Sequence, residues 1–506
     1  MNIFHVCEYM ERWLTEDPDK TAVIDENGSV TYAQLVDAYQ SIASDLARKI
    51  EQGSPVAVYM DKGIPALCSF FGIVSAGGFY VLLNPDLPIA RLSQIQSVLQ
   101  APFVITDEAH STQAASLFAP DQILRIDELV KTPVDPVLLK TVRANALDTD
   151  PLYANFTSGS TGVPKGVVVS HRSVIDFIEH FSDIFAFSRE DVFANQAPFD
   201  FDVSVKDIYT AMKLGATLVI TPKTLFSRPV QLLDWLCDHE VTVMIWAVSA
   251  LCLISTFHGL DYKTPTSVKK ILFSGEVMPL KHLKTWRAHL PQTMFVNLYG
   301  PTEITCNCTY HILEAERDYA EGIPIGKHFP NEQILLLNEE NECITEPGIE
   351  GEICVRGTAL ALGYLGAPEQ TAAAFVQNPI NTRYPELIYR TGDLGRYDEA
   401  GDLFFSGRRD HQVKYMGHRI ELQEVERGMA SIDGVERSCC IFDEKKQKLY
   451  GFYQGTIDKN ALHQAMTAFL PVFMIPGILD NVEEFPLTKN GKIDRKALLE
   501  RKRRRK

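Results

Sequence analysis

The first four hundred residues alternate short apolar runs with longer amphipathic stretches. The runs at 55–60, 103–106 and 216–220 are almost entirely apolar, which is typical of strands buried on both faces of a parallel sheet. Between them, residues 35–50 and 232–238 repeat apolar positions at helical spacing. This alternation predicts an α/β body of parallel sheets flanked by helices.

Towards the C-terminus the pattern changes. From about residue 350 the apolar runs shorten and turn residues separate them, which predicts a β-rich subdomain on the N-terminal body. Beyond this, an amphipathic stretch at 420–432 is followed by two strand-like runs and another helix-like stretch, a small α+β domain of ordinary size. We therefore predict an N-terminal core at 1–409 and a small C-terminal domain at 410–506.

The apolar stretch 64–83 is long enough to raise the question of a membrane span. Pro65, Gly72 and the pair Gly77-Gly78 interrupt it, so a helix followed by a buried strand is expected and a membrane span is not. The N-terminus is acidic and lacks the basic start and apolar run of a signal peptide. A cytoplasmic protein is therefore expected.

Composition and charge narrow the class of protein. The 506 residues are 45% hydrophobic and 23% charged, with a net charge of −16. These values are typical of a globular protein, and the acidic balance argues against nucleic-acid binding, which requires a basic face. The exception is the basic run at 501–506, which predicts a solvated, disordered tail. The alternative for this run is a contact with an acidic partner protein.

Residues 156–166 read Phe-Thr-Ser-Gly-Ser-Thr-Gly-Val-Pro-Lys-Gly. Glycines allow close approach to the backbone, and free N–H groups, hydroxyls and a lysine together suit the oxygens of a polyphosphate. The segment is not a Walker A loop, because Pro164 stands where that motif has the glycine before its lysine. The predicted phosphate-binding residues are Thr157, Ser158, Gly159, Ser160, Thr161, Gly162 and Lys165.

Further motifs follow in order: Asn-Leu-Tyr-Gly-Pro-Thr-Glu at 297–303, Tyr-Arg-Thr-Gly-Asp at 389–393, Gly-Arg-Arg-Asp at 407–410 and Asn-Gly-Lys at 490–492. With them the chain resembles, over nearly its whole length, the adenylate-forming superfamily of nonribosomal-peptide adenylation domains, acyl-CoA ligases and luciferases. Within this superfamily it is most similar to amino-acid adenylation enzymes and, in the residues of its short motifs, to D-alanine–carrier-protein ligases. The resemblance implies ATP and Mg²⁺ as cofactors and a mobile C-terminal domain.

The resemblance also implies roles in ATP binding. Glu303 is expected to supply a hard oxygen ligand of the kind that Mg²⁺ prefers, Tyr299 to stack on adenine, and Asp393 to accept the ribose hydroxyls, with Arg408 close to the nucleotide. Taken singly, Glu303 is a solvated residue after a turn and Asp393 caps a turn. The remaining predicted ATP-binding residues are Asn297, Gly300 and Thr302.

Lys492 is the second predicted catalytic residue, beside Glu303. By resemblance it moves into the site and binds the substrate carboxylate and the α-phosphate as charge develops, a task that suits a compact ammonium. Taken singly, a lysine in such a turn is a solvated surface group. Asp410 is the implied hinge, and Gly417 is expected near the tunnel for the carrier thiol.

Residues 197–208 are predicted to form a strand that turns into a helix, and Asp202 matches the residue that binds the substrate ammonium in amino-acid adenylation enzymes. A buried carboxylate requires a cation; capping of the helix is the alternative. The resemblance implies a pocket for a small or polar side chain, lined by Val203, Lys206, Ser249, Leu272, Ser274, Leu298, Cys306 and Asn307. Lys206 pairs with an acidic substrate or extends to water, and we favour the second.

The whole pattern predicts a freestanding ligase. ATP and a small or polar amino acid would give aminoacyl-AMP and pyrophosphate, and the aminoacyl group would pass to a separate phosphopantetheinylated carrier protein, since only fourteen residues follow Lys492. A D-alanine–carrier-protein ligase of cell-wall teichoic acid modification is one alternative, although that group commonly has cysteine where this chain has Ser274. An acyl- or aryl-CoA ligase and a non-catalytic nucleotide-binding scaffold are the others.

Overall fold

A computed structural model describes residues 3–159, 163–409, 412–444, 446–487 and 493–504. Contacts divide the chain into two compact units. The first takes its described residues from 1–84, 99–155 and 166–409, and the second from 85–98, 156–165 and 410–506. The sequence analysis had placed 85–98 and 156–165 with the N-terminal core. The division into functional domains at 1–409 and 410–506 stays a prediction.

Specific contacts account for the two additional segments of the second unit. Arg91 Nη1 lies 2.5 Å from Glu424 Oε1, and both side chains are buried. The Ser158 hydroxyl donates to the Arg419 carbonyl oxygen over 2.8 Å. Pairing between residues so distant along the chain leaves no periodic signal in the sequence.

A nine-stranded sheet forms the centre of the first unit. Its strands, in spatial order, are Lys327–His328, Thr309–Ile312, Met294–Tyr299, Lys270–Ser274, Val243–Ala247, Val192–Asn195, Thr217–Ile220, Thr21–Asp25 and Gly28–Thr31. The six from Met294–Tyr299 to Thr21–Asp25 are parallel. Ile245 and Leu272 belong to one apolar cluster, whereas Met244 and Ile271 belong to another. Since successive side chains point to opposite faces, both faces are buried, as the continuous apolar runs predict.

A seven-stranded sheet contains the other predicted parallel strands. Its strands, in spatial order, are Gly363–Tyr364, Lys165–Ser170, Pro151–Thr157, Phe79–Leu82, Pro55–Tyr59, Phe103–Thr106 and Ile123–Arg125. The apolar stretch 64–83 forms the helix Ile64–Ser75 and the buried strand Phe79–Leu82, which confirms the predicted helix and strand. None of the described helices is long and apolar enough to span a membrane.

The β-rich subdomain expected after residue 350 is confirmed. It is a five-stranded antiparallel sheet of Glu332–Leu337, Gly351–Gly357, Leu387–Tyr397, Phe375–Gln377 and Leu403–Arg408. The α-helices up to this point in the chain are Glu8–Glu16, Tyr32–Leu46, Ile64–Ser75, Ile89–Leu99, Ser111–Ala114, Ile126–Leu129, Pro136–Asn145, His171–Ile184, Val203–Leu214, Pro229–Asp238, Val248–Thr256, Gly259–Tyr262, Leu280–His289 and Pro368–Ala374. Short 3₁₀ turns occur at Pro120–Gln122, Lys223–Ser227 and Thr302–Ile304.

The C-terminal segment of the second unit has the predicted α+β composition. Its strands are Gln412–Tyr415, His418–Glu421, Val435–Asp443, Lys448–Gly455 and Ile478–Asn481, and its helices are Leu422–Ala430, Lys459–Thr467 and Arg495–Arg504, with a 3₁₀ turn at Val472–Met474. The expectation of a disordered basic tail is wrong for its described part. There the chain is helical, and Lys502 and Arg503 pair with Asp480 and Asp443 at 2.8 and 2.7 Å, because acidic side chains of the adjacent sheet attract them.

Candidate active site

The predicted amino-acid-binding residues follow the carboxyl ends of neighbouring parallel strands. Asp202 and Lys206 come after the strand Val192–Asn195, and Ser249 comes after Val243–Ala247. Ser274 ends the strand Lys270–Ser274, and the next strand along the sheet contributes Leu298. In open α/β sheets ligands bind outside the carboxyl ends of the strands. The sheet order therefore brings together residues almost one hundred positions apart.

Asp202 precedes the helix Val203–Leu214 and is only 9% exposed. Within the described part of the chain, its carboxylate makes no hydrogen bond that caps this helix, so capping is not its role. The predicted strand directly before it is wrong. That strand ends at Asn195, because residues 196–202 turn back to begin the helix.

Lys206 is fully buried, and the expectation that it extends to water is wrong. Its ammonium donates to Asn307 Oδ1 over 2.6 Å and to Ser274 Oγ over 3.4 Å. The structure thus joins three of the predicted pocket residues directly. The helix that follows Asp202 directs this side chain towards the sheet, which its position in the sequence alone did not reveal.

The other predicted pocket residues are mainly apolar. Val203, Leu272 and Leu298 are buried, and Ser249 is half-buried. The Cys306 thiol donates to the carbonyl oxygen of Asp202 over 3.0 Å. Burial raises the pKa of Cys306 well above its ordinary value, with the negative charge of Asp202 adding to the effect. The thiol is therefore neutral.

The sequence analysis missed a polar network that joins Lys62, Asn195 and Asp207. Lys62 donates to Asn195 Oδ1 over 3.1 Å, and Asn195 Nδ2 donates to Asp207 Oδ2 over 2.9 Å. Burial raises the pKa of Asp207 to about 7 and lowers that of Lys62 to about 7. An Asp directly after Lys206 in a helix was the available signal, although such pairs are usually solvated.

Tyr299, Asp393 and Arg408, all predicted near the nucleotide, contact one another. The Tyr299 hydroxyl donates to Asp393 Oδ2 over 2.6 Å, and Arg408 forms an ion pair with Asp393 Oδ1. Burial, followed by the charge of Asp393, raises the pKa of Tyr299 well above its ordinary value. Phe405, which no motif marks, lies beside Tyr299 with ring centroids 6.3 Å apart. Asp393 is thus held on both oxygens by residues from two other strands.

Glu303 lies in the 3₁₀ turn Thr302–Ile304 and is fully buried, not a solvated residue after a turn. The Tyr364 hydroxyl donates to its Oε1 over 2.8 Å, and the Ala361 amide donates to its carbonyl oxygen over 2.9 Å. Tyr364 belongs to no recognised motif and was missed. In the described ranges no three His, Cys, Asp or Glu side chains are grouped to hold a metal ion.

The turn before Glu303 requires a glycine at position 300. A Cβ on Gly300 would lie 2.4 Å from the Cα of Asn307, so no larger residue fits between these two segments. The Asn297 side chain donates to the Pro324 carbonyl oxygen over 2.9 Å. Thr302 begins the 3₁₀ turn and is half-buried. The predicted ATP residues of this motif therefore form a close-packed loop.

In the second unit, the described part of the predicted phosphate loop is tightly held. A Cβ on Gly159 would lie 2.0 Å from the Val163 carbonyl oxygen. Thr157 ends its strand, and its buried Oγ1 has no hydrogen-bond partner among the described residues. Lys165 begins the strand that leaves the loop. Ser160, Thr161 and Gly162 lie outside the described residues, as do Lys492 and Asp410.

Gly417 lies in the turn between the strands Gln412–Tyr415 and His418–Glu421, with a φ of +81°. A side chain would be strained in this conformation. The adjacent His418 ring stacks on Phe473 with centroids 3.7 Å apart, and burial lowers the pKa of His418 to about 4. The ring is therefore neutral at physiological pH.

The amino-acid sequence is similar to those of known synthetases and ligases. The chain is 33% identical to Delta-poly-L-ornithine synthetase of Acinetobacter baumannii over 95% of its length, although it spans only 35% of that protein. It is 31% identical to a D-alanine–D-alanyl carrier protein ligase of Bacillus cytotoxicus, covering 98% of this chain and 99% of the relative.

Among solved structures, the fold matches PA1221, an NRPS protein containing adenylation and PCP domains, with a TM-score of 0.84 and 27% identity over 98% of this chain and 84% of that one. The sequence model of the family described as AMP-binding enzyme matches residues 10–365. The chain therefore belongs to the family of AMP-binding enzymes, the adenylate-forming ligases that its ordered motifs indicate.

Proposed function

We propose that the chain activates an amino acid in two steps. The substrate carboxylate attacks the α-phosphorus of ATP, the bond to the β-phosphate breaks, and aminoacyl-AMP and pyrophosphate form. A carrier thiol then attacks the acyl carbon, loses its proton and displaces AMP. The observation that carries this proposal is the buried Asp202 carboxylate, which does not cap its helix and lies beyond the carboxyl ends of the sheet.

An amino acid, unlike other carboxylic acids, offers an ammonium for this carboxylate. Asp202 matches the residue that binds the substrate ammonium in amino-acid adenylation enzymes, and a buried carboxylate can stabilise such an ammonium when the pair is hydrogen-bonded. This match favours an amino acid over an acyl or aryl acid as the substrate. Because the chain spans about a third of the ornithine synthetase that it resembles, the activity and partners of the whole protein are part of the proposal.

The nucleotide residues fit ATP and Mg²⁺. Glu303 offers a carboxylate oriented by Tyr364, the kind of hard oxygen ligand with which Mg²⁺ binds alongside substrate phosphates. Bound there, the metal would neutralise phosphate charge. Asp393 can accept hydrogen bonds from the ribose hydroxyls in addition to its contacts with Tyr299 and Arg408, since a carboxylate has about four lone-pair sites. The proposed phosphate-binding residues are Thr157, Ser158, Gly159, Ser160, Thr161, Gly162 and Lys165, with Tyr299 against the adenine.

The C-terminal domain is proposed to act in both steps. Lys492 is proposed to act on the α-phosphate during adenylation, and rotation about Asp410 is proposed to remove it before transfer, a hinge-type change. Gly417 would then admit the carrier thiol. A phosphopantetheinylated carrier in trans is supported by the relative named for a D-alanyl carrier protein and by PA1221, which contains a PCP domain.

A D-alanine–carrier-protein ligase is the second candidate. It is favoured by the Bacillus cytotoxicus relative, which matches over 99% of its own length. Ser274, where that group commonly has cysteine, and the buried Lys206 set this pocket apart. The two candidates share the reaction and differ in the side chain that is recognised.

Pyrophosphate exchange across a panel of acids tests the proposal. We expect exchange that depends on one or a few amino acids, measured as labelled ATP formed from labelled pyrophosphate. Exchange with fatty or aryl acids alone would replace the proposal with an acyl- or aryl-CoA ligase. ATP binding without any exchange would indicate a non-catalytic nucleotide-binding protein.

Asp202→Asn tests the residue that carries the proposal. The change keeps the shape of the side chain but removes its charge, and hydrogen bonds to charged groups contribute about 1.5–3 kcal/mol. The KM for the amino acid should therefore rise tenfold or more, on the order of 1.4 kcal/mol per tenfold, with little change in the KM for ATP.

Asp200→Asn is the matched control, because Asp200 lies in the same segment and accepts hydrogen bonds from Asn84 at 3.1 and 3.3 Å. It should leave the amino-acid KM close to wild type. An unchanged KM in Asp202→Asn refutes the ammonium assignment.

A further inference from the structure

The loop that follows Glu303 holds two consecutive residues in a strained backbone conformation. Thr305 has a φ of +51° and Cys306 a φ of +73°, a region in which residues other than glycine are uncommon. Such strain persists only where the surrounding structure holds it, and it is concentrated at functional sites. Here the strained pair lies between a predicted metal ligand, Glu303, and a predicted pocket residue, Asn307.

Hydrogen bonds hold this strained pair on both sides. The Thr305 hydroxyl donates to the Ala359 carbonyl oxygen over 2.7 Å. The Cys306 thiol donates to the Asp202 carbonyl oxygen over 3.0 Å, and the cysteine is only 4% exposed. The loop therefore connects the turn of Glu303 to the residue that is predicted to bind the substrate ammonium.

The contact with Cys306 fixes the backbone of Asp202 where the helix Val203–Leu214 begins. The Asp202 carbonyl oxygen also accepts from the Val205 amide over 3.1 Å, a bond of the first helical turn. Together the two bonds orient the peptide group that follows Asp202, and with it the direction in which the carboxylate side chain leaves the backbone. The thiol keeps its proton and remains a donor, because burial raises the pKa of Cys306 well above its ordinary value.

We propose that Cys306 is a positioning residue for the amino acid: its thiol, held by the strained loop, orients Asp202 so that the carboxylate meets the substrate ammonium. The inference rests on the proposed function and adds a residue that acts through Asp202. A cysteine that only lined the side-chain pocket would affect an acid with and without its α-amino group equally. A cysteine that acts through Asp202 affects only the acid that carries the ammonium.

Paired substrates test this difference. The amino acid that gives the fastest pyrophosphate exchange is compared with its deamino counterpart, in which hydrogen replaces the α-amino group. The exchange assay gives the KM of the amino acid and the inhibition constant Ki of the deamino acid as its competitor. In Cys306→Ala we expect the KM to rise about threefold to tenfold, the range for a neutral hydrogen bond. The Ki of the deamino acid and the KM for ATP should stay near wild type.

Cys306→Ser is the conservative variant, and because a serine hydroxyl also donates to a carbonyl oxygen, it should keep the amino-acid KM near wild type. Cys7→Ala is the matched control, since the Cys7 thiol is also buried and donates to the Phe71 carbonyl oxygen over 3.8 Å. It should lower the free energy of unfolding and leave both constants unchanged. If Cys306→Ala does not fold, Cys306→Gly gives the same comparison, because glycine adopts a positive φ without strain and also lacks the donor.

The outcomes separate this inference from the proposed function. Equal rises in the KM and the Ki, or an unchanged KM, overturn the positioning role and leave amino-acid activation standing. A Cys306→Ser protein with the KM of Cys306→Ala overturns the role of the hydrogen bond. Loss of folding in both Cys306→Ala and Cys306→Gly assigns the thiol to the fold instead, which also overturns the inference. Exchange with no amino acid overturns both the inference and the proposed function.

Discussion

The Tyr299 hydroxyl offers a test of how the nucleotide site is organised. Tyr299→Phe keeps the buried ring, which the prediction places against adenine, and removes the hydroxyl that donates to Asp393 Oδ2 at 2.6 Å. Arg408 still pairs with the other carboxylate oxygen. The substitution therefore separates the aromatic surface from the positioning of the carboxylate.

The size of the effect follows from the charge of the acceptor. A hydrogen bond to a charged group contributes about 1.5–3 kcal/mol, and the remaining ion pair retains part of the positioning of Asp393. If Asp393 accepts the ribose hydroxyls, the loss of this hydrogen bond should weaken nucleotide binding by about 1.4 kcal/mol, which corresponds to a tenfold lower affinity. We expect the KM for ATP to rise about tenfold and the amino-acid KM to stay near wild type.

The assay is pyrophosphate exchange with ATP varied at saturating amino acid. Tyr80→Phe is the matched control, because it removes a buried hydroxyl that bonds to Tyr209 at 3.0 Å, with neutral groups on both sides. It should lower the free energy of unfolding by roughly 0.5–1.5 kcal/mol and leave the KM for ATP unchanged. A wild-type KM for ATP in Tyr299→Phe would refute the idea that this hydroxyl positions Asp393 for the nucleotide.

Two further predictions concern Lys492 and Asp207. Lys492→Ala should slow adenylate formation about a hundredfold, roughly 3 kcal/mol, and leave transfer from supplied aminoacyl-adenylate to the carrier unaffected; equal loss in both steps contradicts the proposed rotation. The pKa of Asp207 is raised from 3.8 to about 7, so between these values the folded state binds more protons and stability falls as pH rises, by about 4 kcal/mol in all. Asp207→Asn should remove this slope in urea unfolding measured from pH 4 to 7, and parallel slopes would contradict it.

The parallel strands were predictable because burial on both faces demands an uninterrupted apolar run. The strands near residues 55, 103 and 217 formed within a residue or two of their predicted ends. The assignment of chain segments to the two compact units was not predictable in this way. Residues 85–98 belong to the second unit through pairs such as Arg91–Glu424, and a pair formed by residues more than three hundred positions apart has no local signature.

Some residues of the candidate site were likewise predictable from the sequence, and others were not. Motif residues such as Tyr299, Asp393 and Arg408 were identifiable because they are adjacent to glycine and proline turns of fixed order. Their partners were not, because Tyr364 and Phe405 are ordinary aromatic residues on strands, and only side-chain packing in the folded chain brings them to Glu303 and Tyr299. Lys62 is likewise an unremarkable surface residue in the sequence until Asn195 connects it to Asp207.

The sequence by itself determined the α/β class, the family and the motif residues, since these depend on local periodicity and on short ordered segments. Only the tertiary structure decided the orientation of Lys206. A lysine on a helix extends to water or turns inward according to what its helix packs against, and the energies of the two arrangements depend on the surrounding charges and hydrogen bonds. Ser274, at the end of its strand, and Asn307, in the loop after the 3₁₀ turn Thr302–Ile304, lie within reach of the ammonium, and this contact belongs to a lysine that was expected in solvent.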